Sequence, residues 1–170
     1  MGSILSLLMG LATAQGEGSE GAEITTVHPI VFVESERQGE AYEAYRRIRS
    51  DRPLELKLSA PGRVFVSVRT LIGSRSGPHQ LQFEVDGETV KEAQVSPRRD
   101  DLARFVETVP GRLPGEKRTF LVPVEASADS FPRRLTVWLV KGKEILLSPR
   151  YASPLELELE LDEAGTSTAP

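Results

Sequence analysis

The chain has 170 residues, 39% of them hydrophobic and 27% charged, with 21 basic residues against 25 acidic ones for a net charge of -4. This is the composition of an ordinary soluble domain of one-domain length. It lacks the basic excess that a nucleic-acid interface needs. With no cysteine at all, disulfides, thiolate nucleophiles, Cys-based zinc sites and a lipid-modified N-terminal cysteine are excluded.

The chain opens with a short apolar run over 4–11. Ala12-Thr13-Ala14 follows as a small-x-small site, and then a Gly/Glu/Ser-rich stretch. This order is that of a secretory signal peptide over 1–14, cleaved after Ala14, followed by a flexible linker over 15–23. The run is short, no Lys or Arg precedes it, and it cannot span a bilayer as a helix. Export places the protein in the periplasm or outside the cell, and the lack of cysteine suits a bacterial one.

A first strand is expected over 27–33, where Val-His-Pro-Ile-Val-Phe-Val is apolar and β-branched, with Pro29 at its start. Residues 41–49 are ambiguous. Tyr42, Tyr45 and Ile48 would share a helical face, but Gly39 and Pro53 leave little room for a helix, which favours extended structure. From Leu54 onward alternation dominates. Leu54, Leu56 and Leu58 form one face, and Ala60-Pro61-Gly62-Arg63 marks a turn. Val64, Val66 and Val68 then alternate with Phe65, Ser67 and Arg69, and His79, Leu81, Phe83 and Val85 form the next set. Asp86-Gly87 is a two-residue hairpin signal, predicting pairs Glu84–Thr89, Phe83–Val90 and Gln82–Lys91. Phe120, Val122 and Val124 alternate after a turn-rich stretch. A second hairpin is expected over 135–151, turning at Gly142-Lys143 and pairing Trp138 with Leu147 and Val140 with Ile145. Residues 155–161 read Leu-Glu-Leu-Glu-Leu-Glu-Leu. Only a period-two backbone separates those leucines from the glutamates, so a strand is expected there despite the helix propensity of both residue types. Residues 162–170 are a polar tail.

These elements predict an all-β chain, an antiparallel two-sheet β-sandwich of jelly-roll-like form with about eight or nine strands, occupying 24–161. The expected 135–151 hairpin is apolar on both faces, whereas a sandwich strand normally buries one. Its second face, with Trp138, Val140, Ile145, Leu147 and Tyr151, is therefore either covered by a loop or forms a binding surface. Those five residues are the candidate site. Other clusters are weaker. The basic stretch Arg46-Arg47-Ile48-Arg49 with Arg52 reads as a solvated face. Asp100-Asp101 with Asp129 lacks calcium-loop spacing. His28 and His79 lack zinc spacing. No nucleophile elbow, phosphate loop or metalloprotease motif is present, so no cofactor and no metal is expected.

Pro53-Leu54-Glu55-Leu56, Ala60-Pro61-Gly62-Arg63-Val64, the Asp86-Gly87 turn and Phe120-Leu121-Val122-Pro123-Val124 together resemble bacterial exported β-sandwich proteins of unknown function. At the level of architecture they look like the jelly rolls of carbohydrate-binding modules. The resemblance carries over no functional residue, and fold does not give function; the expected role is a non-catalytic exported domain binding a protein or glycan at the cell envelope. A structural envelope subunit without a small ligand is the alternative, and a carboxylate-dependent hydrolase stands third. Neither nucleic acid nor a transmembrane span is expected.

Overall fold

The computed structural model describes residues 21–36, 42–75, 77–124 and 130–153. The expected leader, the tail, the leucine/glutamate run at 155–161 and Asp129 lie outside them. The described chain contains no α-helix and folds as two antiparallel sheets. Twelve strands follow in chain order. They are β1 (Ala22–Ile24), β2 (Ile30–Ser35), β3 (Tyr42–Arg49), β4 (Leu54–Leu58), β5 (Arg63–Ile72), β6 (His79–Val85), β7 (Glu88–Val95), β8 (Ala103–Phe105), β9 (Leu113–Pro114), β10 (Arg118–Val122), β11 (Arg133–Lys141) and β12 (Glu144–Ala152). One sheet runs β1-β4-β11-β6-β7. The other runs β10-β5-β12-β3-β2-β8, with β9 added beside β5. The chain passes between the sheets at β1–β2, β3–β4, β4–β5, β5–β6, β7–β8, β10–β11 and β11–β12, as expected of a jelly-roll-like sandwich rather than a meander.

The count exceeds the expected one because short strands form in segments that carry no alternation of their own. β1 takes Ala22 and Glu23 from the expected linker and pairs them with Leu58 and Lys57. β8 and β9 form in the charged and turn-rich stretches after Ser96. The ambiguous 42–49 segment is strand β3.

The core lies between the sheets. Leu54, Leu56 and Leu58 of β4, Val64, Val66 and Val68 of β5, and Leu81, Phe83 and Val85 of β6 all point into it. Leu135, Val137 and Leu139 of β11 and Ile145 and Leu147 of β12 complete it. Burying side chains of this size contributes roughly 1.5–3 kcal/mol each, which is what overrides the helix propensity of the leucines.

The Asp86-Gly87 turn has both residues at positive φ, 51° and 84°, as a type I′ turn requires. Glu84 pairs with Thr89 as the sequence predicts, but a bulge then inserts Val90 and moves Phe83 opposite Lys91. The bulge has a clear cause. It sets Leu81 opposite Ala93 and His79 opposite Val95, so buried residues meet. The unbulged register would have placed Glu92 and Gln94 there.

The expected 135–151 hairpin is not formed. β11 pairs with β4 and β6, whereas β12 pairs with β3 and β5 in the opposite sheet. Gly142-Lys143 is a crossover between sheets. Leu139 and Ile145 still meet the same core, which satisfies the apolar pattern without a ladder between them.

One side of the sandwich is closed by side chains. Lys91 on edge strand β7 donates to the Leu121 carbonyl at 3.2 Å, and Arg118 on β10 donates to the Gln94 carbonyl at 3.1 Å. Both cations sit over the Phe120 ring, and Phe120 packs at 6.2 Å from Phe83. Unpaired edge groups are thereby occupied and guarded by charge.

Candidate functional site: an open groove on the five-stranded sheet

Because Leu54, Leu56, Leu135, Val137, Leu139, Leu81 and Phe83 turn inward, the residues between them turn outward. Glu55, Lys57, Arg134, Thr136, Trp138, Gln82 and Glu84 therefore share the outer face of the five-stranded sheet. The register sets them in rows, with Thr136 between Glu55 and Glu84, and Trp138 beside Gln82. This face forms an open groove of about 820 Å3, with Trp138, Thr136, Glu55, Glu84, Lys57 and Arg134 among its lining.

Trp138 is the chain's single tryptophan, and it is half-buried. Its Nε1 donates to Glu84 Oε2 at 3.1 Å. The other oxygen of Glu84 accepts from Gln82 Nε2 at 3.0 Å, and the same Gln82 nitrogen donates to Thr89 Oγ1 at 2.7 Å. The indole is thus held in one orientation by a chain of three polar residues on neighbouring strands. At the end of the groove, Asp86 accepts from Arg133 Nε at 2.9 Å and from the Arg134 backbone N–H at 2.9 Å. These bonds hold its carboxyl below the usual carboxylate range and fix the hairpin against the start of β11. The arrangement offers a fixed aromatic surface beside carboxylates, cations and a hydroxyl. Such a groove can bind a polar ligand that also presents apolar C–H faces.

The five residues singled out from sequence do not share a surface. Trp138 lies in the groove, and Val140, 54% exposed, lies at the end of the same strand. Ile145 and Leu147 are fully buried in the core between the sheets. Tyr151 packs against the core at the other end of β12 and donates to the Pro61 carbonyl at 2.6 Å. The grouping rested on the 135–151 hairpin, and separating its strands into two sheets dissolves it.

β12 does bury both faces, and its second face is covered. Leu146 points away from the main core and packs with Val33, Tyr45 and Leu71 under Ala103, Phe105 and Val109. The cover is the 96–117 segment, and a buried arginine anchors it. Arg69, on the face of β5 opposite Val64, Val66 and Val68, is only 2% exposed. It donates to Tyr45 Oη at 3.1 Å, to Asp100 Oδ2 at 3.1 Å and to the Gly115 carbonyl at 2.8 Å. Glu43 stands 4.0 Å away and takes Lys117 at 2.8 Å. Desolvation alone would lower the pKa of Arg69, but Tyr45, Asp100 and Glu43 outweigh it and hold the guanidinium more firmly charged. Burial pushes the Tyr45 phenol well above its usual range. Gly115 must be glycine, since a Cβ there would run into Thr70. Sequence patterning gave no sign of this cluster, because its members come from four separated segments.

The remaining candidates resolve into structural roles. Asp100 is held by Arg69 and by the Leu102 N–H, and Asp101 pairs on the surface with Arg99. Arg47 and Arg49 pair with Glu144. His28 bonds Thr26 at 2.9 Å, and His79 lies on the core face of β6. Among the described residues no group of His, Asp and Glu side chains is placed to hold a metal ion, and no helix is long and apolar enough to cross a membrane.

No protein-family model matches the chain, and no curated protein or solved structure matches it either.

Proposed function

We propose that this β-sandwich is a non-catalytic binding module, exported to the bacterial cell envelope, whose groove takes a glycan against Trp138. The observation that carries the reading is the fixed indole. Trp138 stands on the open face of a sheet, oriented through Glu84, Gln82 and Thr89, with Glu55, Thr136 and Lys57 in reach of the same groove. A sugar ring places C–H groups on an aromatic face and hydroxyls on surrounding polar groups, which is the division this groove offers. Both oxygens of Glu84 are occupied in holding neighbours, a positioning role rather than that of a free acid or base.

The test uses the single tryptophan as its own reporter. The protein is titrated with muropeptides from digested peptidoglycan and with cello- and xylo-oligosaccharides. A saturable change in emission, lost in Trp138→Ala while the protein stays folded, is the expected result. Unchanged emission with all of them, or binding that survives Trp138→Ala, would sink the glycan reading and favour a structural envelope subunit. Export is checked separately by expressing the full chain in a bacterium and weighing the product. Cleavage after Ala14 is expected, and an intact leader in the cytoplasm contradicts it.

A further inference from the structure

A second concavity lies at one end of the sandwich and shares no lining residue with the groove of Trp138. Three connections converge on it, namely the loop between β5 and β6, the turn before β9, and the crossover from β11 to β12. It has a volume of about 620 Å3. Four cations line it, Arg75, Arg112, Lys141 and Lys143, together with one carboxylate, Glu144. That carboxylate is already taken by Arg47 at 2.5 Å and Arg49 at 3.3 Å. Among the described residues the four lining cations form no ion pair. In a chain with a net charge of -4, this is a local concentration of the opposite sign. Like charges in a concave site repel each other, and its low-dielectric walls focus their field outward.

Parts of its wall are closely packed. Gly142 sits at φ 108° with its backbone pressed on the His79 ring, where any Cβ would overlap the imidazole. The Arg112 guanidinium lies over Gly73, in space that a side chain at that position would fill. His79 forms part of the wall at 6% exposure, and among the described residues its buried Nδ1 has no hydrogen-bond partner. Burial lowers its pKa, with the Gly77 and Glu144 backbone groups opposing that shift, so the imidazole adds a neutral polar edge rather than a fifth charge.

We propose that this pocket binds a phosphate or sulfate group, clamped by Arg75, Arg112, Lys141 and Lys143. Two guanidinium groups offer paired N–H donors that match two oxygens of a tetrahedral oxyanion, and two ammonium groups add point charges. Four unpaired cations fit a doubly charged group better than a single carboxylate. The group can be a free ion or an ester carried on a sugar, and the two sources separate by affinity.

The full chain, labelled with 15N, is titrated at constant ionic strength with sodium phosphate, sodium sulfate and glucosamine 6-sulfate, with sodium chloride as the control. Saturable shifts are expected at the amides of Gly77, Gly142 and Lys143, with none from chloride. Equal affinity for sulfate and its sugar ester identifies a free-ion site, and tenfold tighter binding of the ester identifies a glycan-borne group. The Arg75→Ala/Arg112→Ala and Lys141→Ala/Lys143→Ala variants should each weaken binding at least tenfold, whereas Lys91→Ala should not. Removing the two lysines should also leave Tm unchanged or raise it in phosphate-free buffer, because it relieves repulsion. Shifts spread over the surface basic residues, or affinity within twofold of wild type in both double variants, would overturn the assignment. The groove titration is read at Trp138 and reports on neither outcome.

Discussion

The outer faces of the two sheets are treated in opposite ways. On the five-stranded sheet, β11 turns Thr136 and Trp138 toward an open groove. On the larger sheet, β12 turns Leu146 outward into a second apolar cluster, sealed by the 96–117 segment and tied down through Arg69. The covered face adds a second apolar cluster to the fold, whereas the uncovered one keeps an open groove. A strand that is apolar on both sides is therefore no guide to an interface until it is known what lies over it. In this chain the five residues expected on one exposed apolar face divide between the main core and the open side, while the sealed side holds Leu146 and the open side is polar around one indole.

The comparison breaks most sharply at Arg69. Replacing it with Met takes the cation from buried Asp100, while half-buried Glu43 keeps Lys117, so stability should fall by about 3–5 kcal/mol. Urea unfolding measures this, and limited trypsin digestion should find the 96–117 segment newly accessible. A loss below about 1 kcal/mol would mean that the cover is held by other contacts. Leu146→Ala comes next. If the second cluster is a true core, the loss should be about 2–4 kcal/mol, like that of Leu135→Ala in the main core, while Val140→Ala on the open side should cost less than about 0.5 kcal/mol. Equal small losses at 146 and 140 would erase the distinction between the faces. Trp138→Ala should reverse the pattern, lowering stability by only about 1 kcal/mol while abolishing ligand binding. A large stability loss there would instead mark the indole as structural.

The smallest expected effect is on pH. Burial lowers the pKa of His28 and of His79 from 6.5, so both rings are held neutral in the fold. As pH falls through 6.5 the unfolded chain takes up protons before the folded one. Stability is thus complete above that value and declines below it, toward the folded pKa values. Calorimetry at decreasing pH should show Tm falling, with a shallower fall in His79→Phe. A Tm that holds steady would mean that the rings carry their charge in the folded state.

Much of the fold was legible because period-two patterning is a local property. The leucines at 54, 56 and 58, the valines at 64, 66 and 68, and the 79–85 set each declare their buried face without reference to anything distant. The Asp86-Gly87 turn was equally legible, since its positive φ values are a demand of the turn itself. The bulge at Val90 was not, because it is forced by the pairing of Ala93 and Val95 with strand β6. Of the candidate site, Trp138 was legible as an outward residue in alternation with Leu135, Val137 and Leu139. Its companions were not. Ile145 and Leu147 alternate just as Trp138 and Val140 do, and pattern alone does not say which sheet a strand joins.

The sequence by itself determined the alternating strand segments from Leu54 onward that the structure describes, their core faces and the turn at Asp86-Gly87, because alternation and turn chemistry act over a few residues. Only the tertiary structure decided that β11 and β12 part into different sheets at Gly142 and that Arg69 is buried with Asp100. It alone also gathered Arg75, Arg112, Lys141 and Lys143 around one pocket. Those outcomes depend on which distant segments share a sheet or cover a face. The net free energy of burial and charge pairing sets that, across separations that no local pattern records.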